Sequence, residues 1–140
     1  MRRYQLTKPG SLDGLQLTDV ATPQPGPREV RVRMRACSLN HRDLNIAGGG
    51  YARAPVKANV IPLSDGAGEI AAVGPGVTRW KVGDRVAPIF TQRWLGGEYL
   101  LEYMSTSLGG QIDGVLAEEI VQSEEGLVRI PEHLSFEEAA

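Results

Sequence analysis

Few residues in this 140-residue chain could carry chemistry. Cys37 is the only cysteine, so an internal disulfide and a cysteine-based zinc cluster are both excluded. The plainer reading of Cys37 is a small hydrophobe packed in a strand. Gly66, Gly68 and Ala71 match the G-x-G-x-x-A form of the dinucleotide fingerprint, which requires a strand before it and a helix after it. Here Ile61-Pro62-Leu63-Ser64-Asp65 precedes the motif, and Ile70 to Val73 run into the turn Gly74-Pro75-Gly76. A ribose-binding acid about twenty positions on is also missing, because Val86 to Phe90 are uncharged. The glycines therefore read as places where a strand bends and packs closely. Asn40 can donate and accept hydrogen bonds, and Asn is also a strong helix N-cap. Asp43 follows at i+3 on the same helix face, where the helix dipole favours a carboxylate in any case. The Arg42 guanidinium suits phosphate geometry, with surface placement of Arg42 or His41 as the alternative. Ser64 has no base partner legible in the sequence, so a nucleophilic role is not expected. His133 has no carboxylate or nucleophile suggested near it and is assigned no role.

The elements that must position these residues are mostly strands. Short apolar and β-branched runs are punctuated by Gly, Pro and Asp, and no long helical period appears before the end. The clearest strand spans 29–37, where Val30, Val32, Met34 and Ala36 alternate with Arg31, Arg33 and Arg35, giving one buried and one wet face. Further strands are expected at 3–6, 15–20, 68–73, 84–90, 115–122 and 127–130. Many short strands at this spacing indicate a barrel or sandwich. A helix of about two turns is expected from Asn40 to Ala47, stopped by Gly48, Gly49 and Gly50. Residues 91–113 show no period and form either a functional excursion or a mobile one. Ser135, Phe136, Glu137 and Glu138 form a capping-box pattern that opens a second helix. So short a helix would not be stable alone, which reads as a cut through a longer protein.

Hydrophobic residues make up 41%, charged residues 23%, and the formal net charge is -2, as in a globular domain. No basic footprint points to nucleic acid, and no stretch is long and apolar enough to span a membrane. After Arg2 and Arg3, Tyr4, Gln5, Thr7 and Lys8 stand where a signal peptide would need an apolar run. A single cysteine and no export signal fit a cytoplasmic location.

Several segments taken in order, Ser38-Leu39-Asn40-His41-Arg42-Asp43-Leu44, Leu63-Ser64-Asp65-Gly66-Ala67-Gly68-Glu69-Ile70, Val73-Gly74-Pro75-Gly76-Val77 and Val82-Gly83-Asp84-Arg85-Val86, resemble the medium-chain dehydrogenase/reductase superfamily. The similarity continues through Gly114-Val115-Leu116-Ala117-Glu118, Ile130-Pro131 and Leu134 to Ala140, and so covers nearly the whole chain. The resemblance implies a mainly β fold with short helices, a GroES-like β-barrel formed by residues 1–134. Residues 135–140 would begin the helix leading to a dinucleotide-binding Rossmann domain, which is absent here. Zinc members place a cysteine ligand where Asn40 stands, and histidine followed by glutamate where Ser64 and Asp65 stand. Cys37 lies three residues too early, and Phe90 to Asp113 lacks the four clustered cysteines of a structural zinc lobe. The resemblance therefore moves to the zinc-free quinone oxidoreductase-like and enone reductase-like branches, with no metal ligands.

Within that branch, Asn40 would meet nicotinamide and substrate, and Asp43 would orient Asn40 or relay a proton. Tyr51 would line the substrate cleft, and His41 and Arg42 would approach the cofactor phosphates. Asn45 replaces an aromatic residue that some quinone reductases place there. The implied activity is hydride transfer from NADPH or NADH, held mainly by the other domain, to a small-molecule carbonyl acceptor such as a quinone or enone. The chain would be inactive alone, and the intact parent could be a homo-oligomer. Two alternatives remain: a zinc-free alcohol dehydrogenase-type member acting on an alcohol/aldehyde pair, and a freestanding GroES-like binding module.

Overall fold

The computed structural model describes residues 1–50 and 55–140. Seven strands and two short helices follow one another as β1 (Arg2–Leu6), β2 (Leu15–Asp19), β3 (Glu29–Cys37), α1 (His41–Ala47), β4 (Gly66–Val73), β5 (Arg85–Pro88), β6 (Glu119–Ser123), β7 (Leu127–Arg129) and α2 (Phe136–Ala139). Five strands form an antiparallel sheet in the order β6-β3-β4-β5-β7, and β1 pairs with β2 as a separate hairpin. β3 has the bounds its alternation predicts. Val30 and Val32 are fully buried, whereas Arg33 and Arg35 are exposed and reach across the sheet to Glu69, with Arg31 and Arg33 pairing to Glu119. One core gathers Val30, Val32, Ile70, Val86, Ile120 and Leu127 around Trp80 and Leu108. A smaller one joins Leu6 and Val60 to Ile46 of α1, and this anchors the helix.

The strand expected at 115–122 begins later, at Glu119. The preceding residues bend away to join the hairpin: Tyr4 N donates to Leu116 O, and Glu118 N to Arg2 O. They thereby link the hairpin to β3, where Met34 N donates to Glu118 O. Residues 91–113 carry a 3-10 helix at Leu101–Thr106 and the isolated bridges Thr91↔Ser107 and Leu108↔Ile112, so the two ends of the segment are tied together despite the missing period.

The fingerprint glycines lie inside β4, with Gly66 opposite Cys37 and Gly68 opposite Met34. A Cβ on Gly68 would lie 2.3 Å from Arg33 O, so this glycine serves close strand packing. Glu124, on which the sequence offers no signal, is a fully buried staple. Its Oε2 accepts from Thr78 N and Arg79 N at 2.9 Å, its Oε1 pairs with Arg28 Nε at 2.7 Å, and its carbonyl accepts the Trp80 indole N–H at 2.7 Å. These bonds, the Arg79 and Thr78 amides first, hold its carboxyl below the usual range. α2 begins with the expected capping box: Ser135 Oγ accepts from Glu138 N, and Glu138 Oε2 accepts from Ser135 N. Phe136 docks it beneath the Arg85 guanidinium, 4.6 Å from the ring centroid. Among the described residues no helix is long and apolar enough to cross a membrane.

Candidate functional site

The site forms where the end of β3, the first turn of α1 and the entry to β4 converge. Leu63 takes a left-handed backbone, φ 67°, which a β-carbon makes costly by about 1–2 kcal/mol. Its surroundings hold it there: Val115 N donates to Leu63 O, and a Cβ on Gly114 would lie 1.9 Å from that oxygen. The turn at Leu63 leads into Ser64, whose side chain is buried, and Asp65, which is half-buried. Ser38 N donates to Asp65 O at 3.1 Å and ties the two segments together. Asp65 Oδ2 then accepts twice, from Ser64 Oγ at 2.7 Å and from Asn40 Nδ2 at 2.7 Å.

Asn40 occupies the N-cap position of α1 with an extended backbone, φ -121°. Asp43, one turn on, accepts the Asn40 backbone N–H at Oδ2, 2.8 Å away, so it orders the Asn40 main chain. Among the described residues its Oδ1 is buried and takes no hydrogen bond. Burial is the largest influence on Asp43 and raises its pKa; the Asn40 N–H and Arg42 oppose the rise, and the Asp65 charge adds to it. The structure thus brings Asn40, Asp43, Ser64 and Asp65 into one cluster.

The other residues singled out from the sequence lie around this cluster. His41 is exposed, with its Nδ1 3.5 Å from Asn45 Nδ2. Arg42 is half-buried and stacks over the Phe90 ring, 4.8 Å from its centroid, while a Cβ on Gly110 would meet its Nη2 at 2.7 Å. Tyr51 lies outside the described residues. Cys37 is half-buried in β3, its thiol donating to Val115 O at 3.3 Å, and burial pushes that thiol up to about 11. A thiol so held is a poor nucleophile at neutral pH.

Sequence reasoning singled out neither Asp65 nor the aromatic residues beside Phe90, the ring on which Arg42 stacks. A cleft of about 350 Å³ is lined by Ile89, Phe90, Thr91, Trp94 and Tyr99. Trp94 and Tyr99 meet edge to face at 5.3 Å, and the indole N–H is spent on Gly97 O. The wall is overwhelmingly apolar and suits a flat, unsaturated ligand. Aromatic spacing within residues 91–113 was the available signal, but without a period nothing indicated which rings would face one another.

The model of the alcohol dehydrogenase GroES-like domain matches residues 26–132. The chain belongs to this family. An alcohol dehydrogenase of Geobacillus stearothermophilus is 40% identical over 133 residues, which cover 90% of this chain and 39% of that protein. A quinone oxidoreductase of Pseudomonas aeruginosa is 38% identical over 139 residues, covering 99% of this chain and 36% of that protein. The crystal structure of an NAD-dependent alcohol dehydrogenase superposes with a TM-score of 0.81 at 32% identity, over 99% of this chain and 42% of that one. The fold is therefore the GroES-like domain of the medium-chain dehydrogenases and reductases. These two relatives are an alcohol dehydrogenase and a quinone oxidoreductase, and this chain spans about two fifths of their length.

Proposed function

We propose that this chain is the substrate domain of a zinc-independent, NAD(P)H-dependent oxidoreductase that transfers hydride to a quinone, enone or similar conjugated carbonyl. The observation that carries the reading is the Asn40–Asp65–Ser64 cluster: an amide, a carboxylate and a hydroxyl hydrogen-bonded to one another. A tetrahedral zinc site draws mainly on thiolates and imidazoles, and Asn40, Ser64 and Asp65 offer neither. The donor set does not fit a catalytic zinc.

The same residues fit the reactive end of a nicotinamide. Asn40 is exposed at the N-terminus of α1, with donor and acceptor atoms on one short side chain. The diphosphate finds no cradle at Gly66 to Ala71, because those residues are extended strand within β4. The dinucleotide is therefore held mainly by a second domain, with His41 and Arg42 near its phosphates, and the chain alone is inactive. When bound, the nicotinamide supplies the hydride. Asn40 places the reacting groups, Asp43 orders the Asn40 backbone, and Tyr51 donates to the carbonyl oxygen. The aromatic cleft at Phe90, Trp94 and Tyr99 receives the planar acceptor. On this reading the protein acts in the cytoplasm on a small molecule, without nucleic-acid or membrane partners.

The 40% identity to an alcohol dehydrogenase favours a second reading, the zinc-free interconversion of an alcohol and an aldehyde. Oxidation of NADH and NADPH by the full-length protein, measured with quinones, enones and aldehydes before and after chelation, tests both. Turnover of a conjugated acceptor, unchanged by chelation, is expected. Turnover of aldehydes alone moves the assignment to the second reading, and activity lost on chelation and restored by zinc overturns the metal-free mechanism. Asn40→Ala should lower kcat/KM roughly tenfold or more, the loss of about one hydrogen bond in the transition state.

A further inference from the structure

Building on that role for Asn40, we propose that Asp65 is a positioning residue that holds the Asn40 amide in a single orientation at the site. The hydrogen bonds dictate the orientation. A carboxylate only accepts, so the Asn40 amide must turn its nitrogen toward Asp65; the flipped amide would set two oxygens 2.7 Å apart. Asp65 cannot readily turn away, because the same oxygen accepts the hydroxyl of the buried Ser64. Its own backbone is fixed by Ser38 N and by the left-handed Leu63 two residues earlier. A strained residue held by its surroundings next to a reactive side chain is a usual way of storing preorganisation. One N–H of the amide is committed to Asp65, and the remaining N–H and the carbonyl oxygen lie in fixed directions for a bound molecule. Ordering the amide beforehand spares the ligand that entropic cost.

Asp65 acts here through the geometry of its acceptor oxygen, so Asp65→Asn should retain the function and Asp65→Ala should not. In isotope-labelled spectra of the 140-residue chain, the two Asn40 side-chain amide protons, assigned by their loss in Asn40→Ala, should be well separated. That separation should shrink to that of a solvated asparagine amide, whose two protons stay distinct because the C–N bond rotates slowly, in Asp65→Ala and persist in Asp65→Asn. In the full-length protein, Asp65→Ala should lower kcat/KM about tenfold, the usual scale for a residue that orients a site ligand, with Asp65→Asn within about twofold of the parent. An Asn40 amide unmoved by Asp65→Ala overturns the proposal, as does equal activity of the alanine and asparagine variants. Because Asp65→Ala leaves a buried hydroxyl without its acceptor, Ser64→Ala/Asp65→Ala carries the same test should the single variant not fold. If Asn40→Ala leaves activity intact, the proposed site itself falls. If only Asp65→Ala is silent, the site stands and the positioning role alone is lost.

Discussion

Gly68→Ala asks whether the fingerprint glycines serve packing or a phosphate. The added methyl would lie 2.3 Å from Arg33 O and 2.9 Å from Val32 Cγ1, whereas ordinary contact begins at 3.4 Å. Relief requires β3 and β4 to separate by about 1 Å, the shortfall against ordinary contact in a packed interior. Arg33 O is main chain in the central pair of the sheet, so the shorter of the two contacts cannot be relieved by a rotamer change. Overpacking costs about 1–3 kcal/mol, and rigid neighbours place this case near 3 kcal/mol. With a urea slope of about 1–3 kcal/mol per M, the unfolding midpoint should fall by about 1–3 M with the slope unchanged. Gly50→Ala is the control, because its Cβ would meet nothing within 4 Å among the described residues; its stability should stay within about 0.5 kcal/mol of the parent. Urea titrations followed by tryptophan fluorescence measure both. A midpoint for Gly68→Ala within about 0.3 M of the parent would refute the packing argument, given the slope above. A stable variant with selectively lost NADPH affinity would restore the phosphate loop.

Burial raises the Asp43 pKa, so its contribution to stability is present below the ordinary value of 3.8 and lost as pH rises through the folded value. Asp43→Asn keeps an acceptor for the Asn40 N–H and should be at least as stable as the parent at pH 7 in urea titrations; a loss above about 1 kcal/mol contradicts this. Asp84 is the opposite case. Hydrogen bonding from the Lys81 side chain, opposed by burial and aided by the Lys81 amide and Arg129, lowers it to about 2, so its stabilisation is full above 3.8 and lost as pH falls toward 2. Asp84→Asn should cost about 1–2 kcal/mol at pH 7, after discounting for the exposure of Lys81, and the deficit should vanish in acid. With its thiol near 11 instead of 9.0, Cys37 should react with a thiol reagent at pH 8 roughly a hundredfold more slowly in the native chain than in urea. Equal rates would mean that the thiol is not held in β3 as described.

Much of the fold was legible because its signals are local. Alternation over residues 29–37 needs only a period of two to place Val30 and Val32 inside and the arginines outside. The Ser135 capping box and the helix entered at Asn40 are likewise written within four residues. The site was half legible. Asn40 and Asp43 share a helical turn and could be paired from spacing alone. Asp65 lies 25 residues from Asn40, and its approach depends on the β3–β4 register and on a left-handed Leu63 that no residue preference predicts. Glu124 beside Glu125 reads as a solvated acidic pair, and only the backbone N–H groups of Thr78 and Arg79, brought from 46 and 45 residues away, make a buried carboxylate stable.

The sequence by itself determined the order of strands and turns, the two helix starts, the family, and the absence of a thiolate or imidazole at the positions of Asn40 and Ser64. Periodicity, caps and residue chemistry are properties of neighbours along the chain. The tertiary structure alone decided which residues the fingerprint glycines pack against, that Arg42 stacks on Phe90, and that the Asn40 amide is tied to Asp65. Each depends on which distant segments pack together, and that outcome follows from burying one shared core.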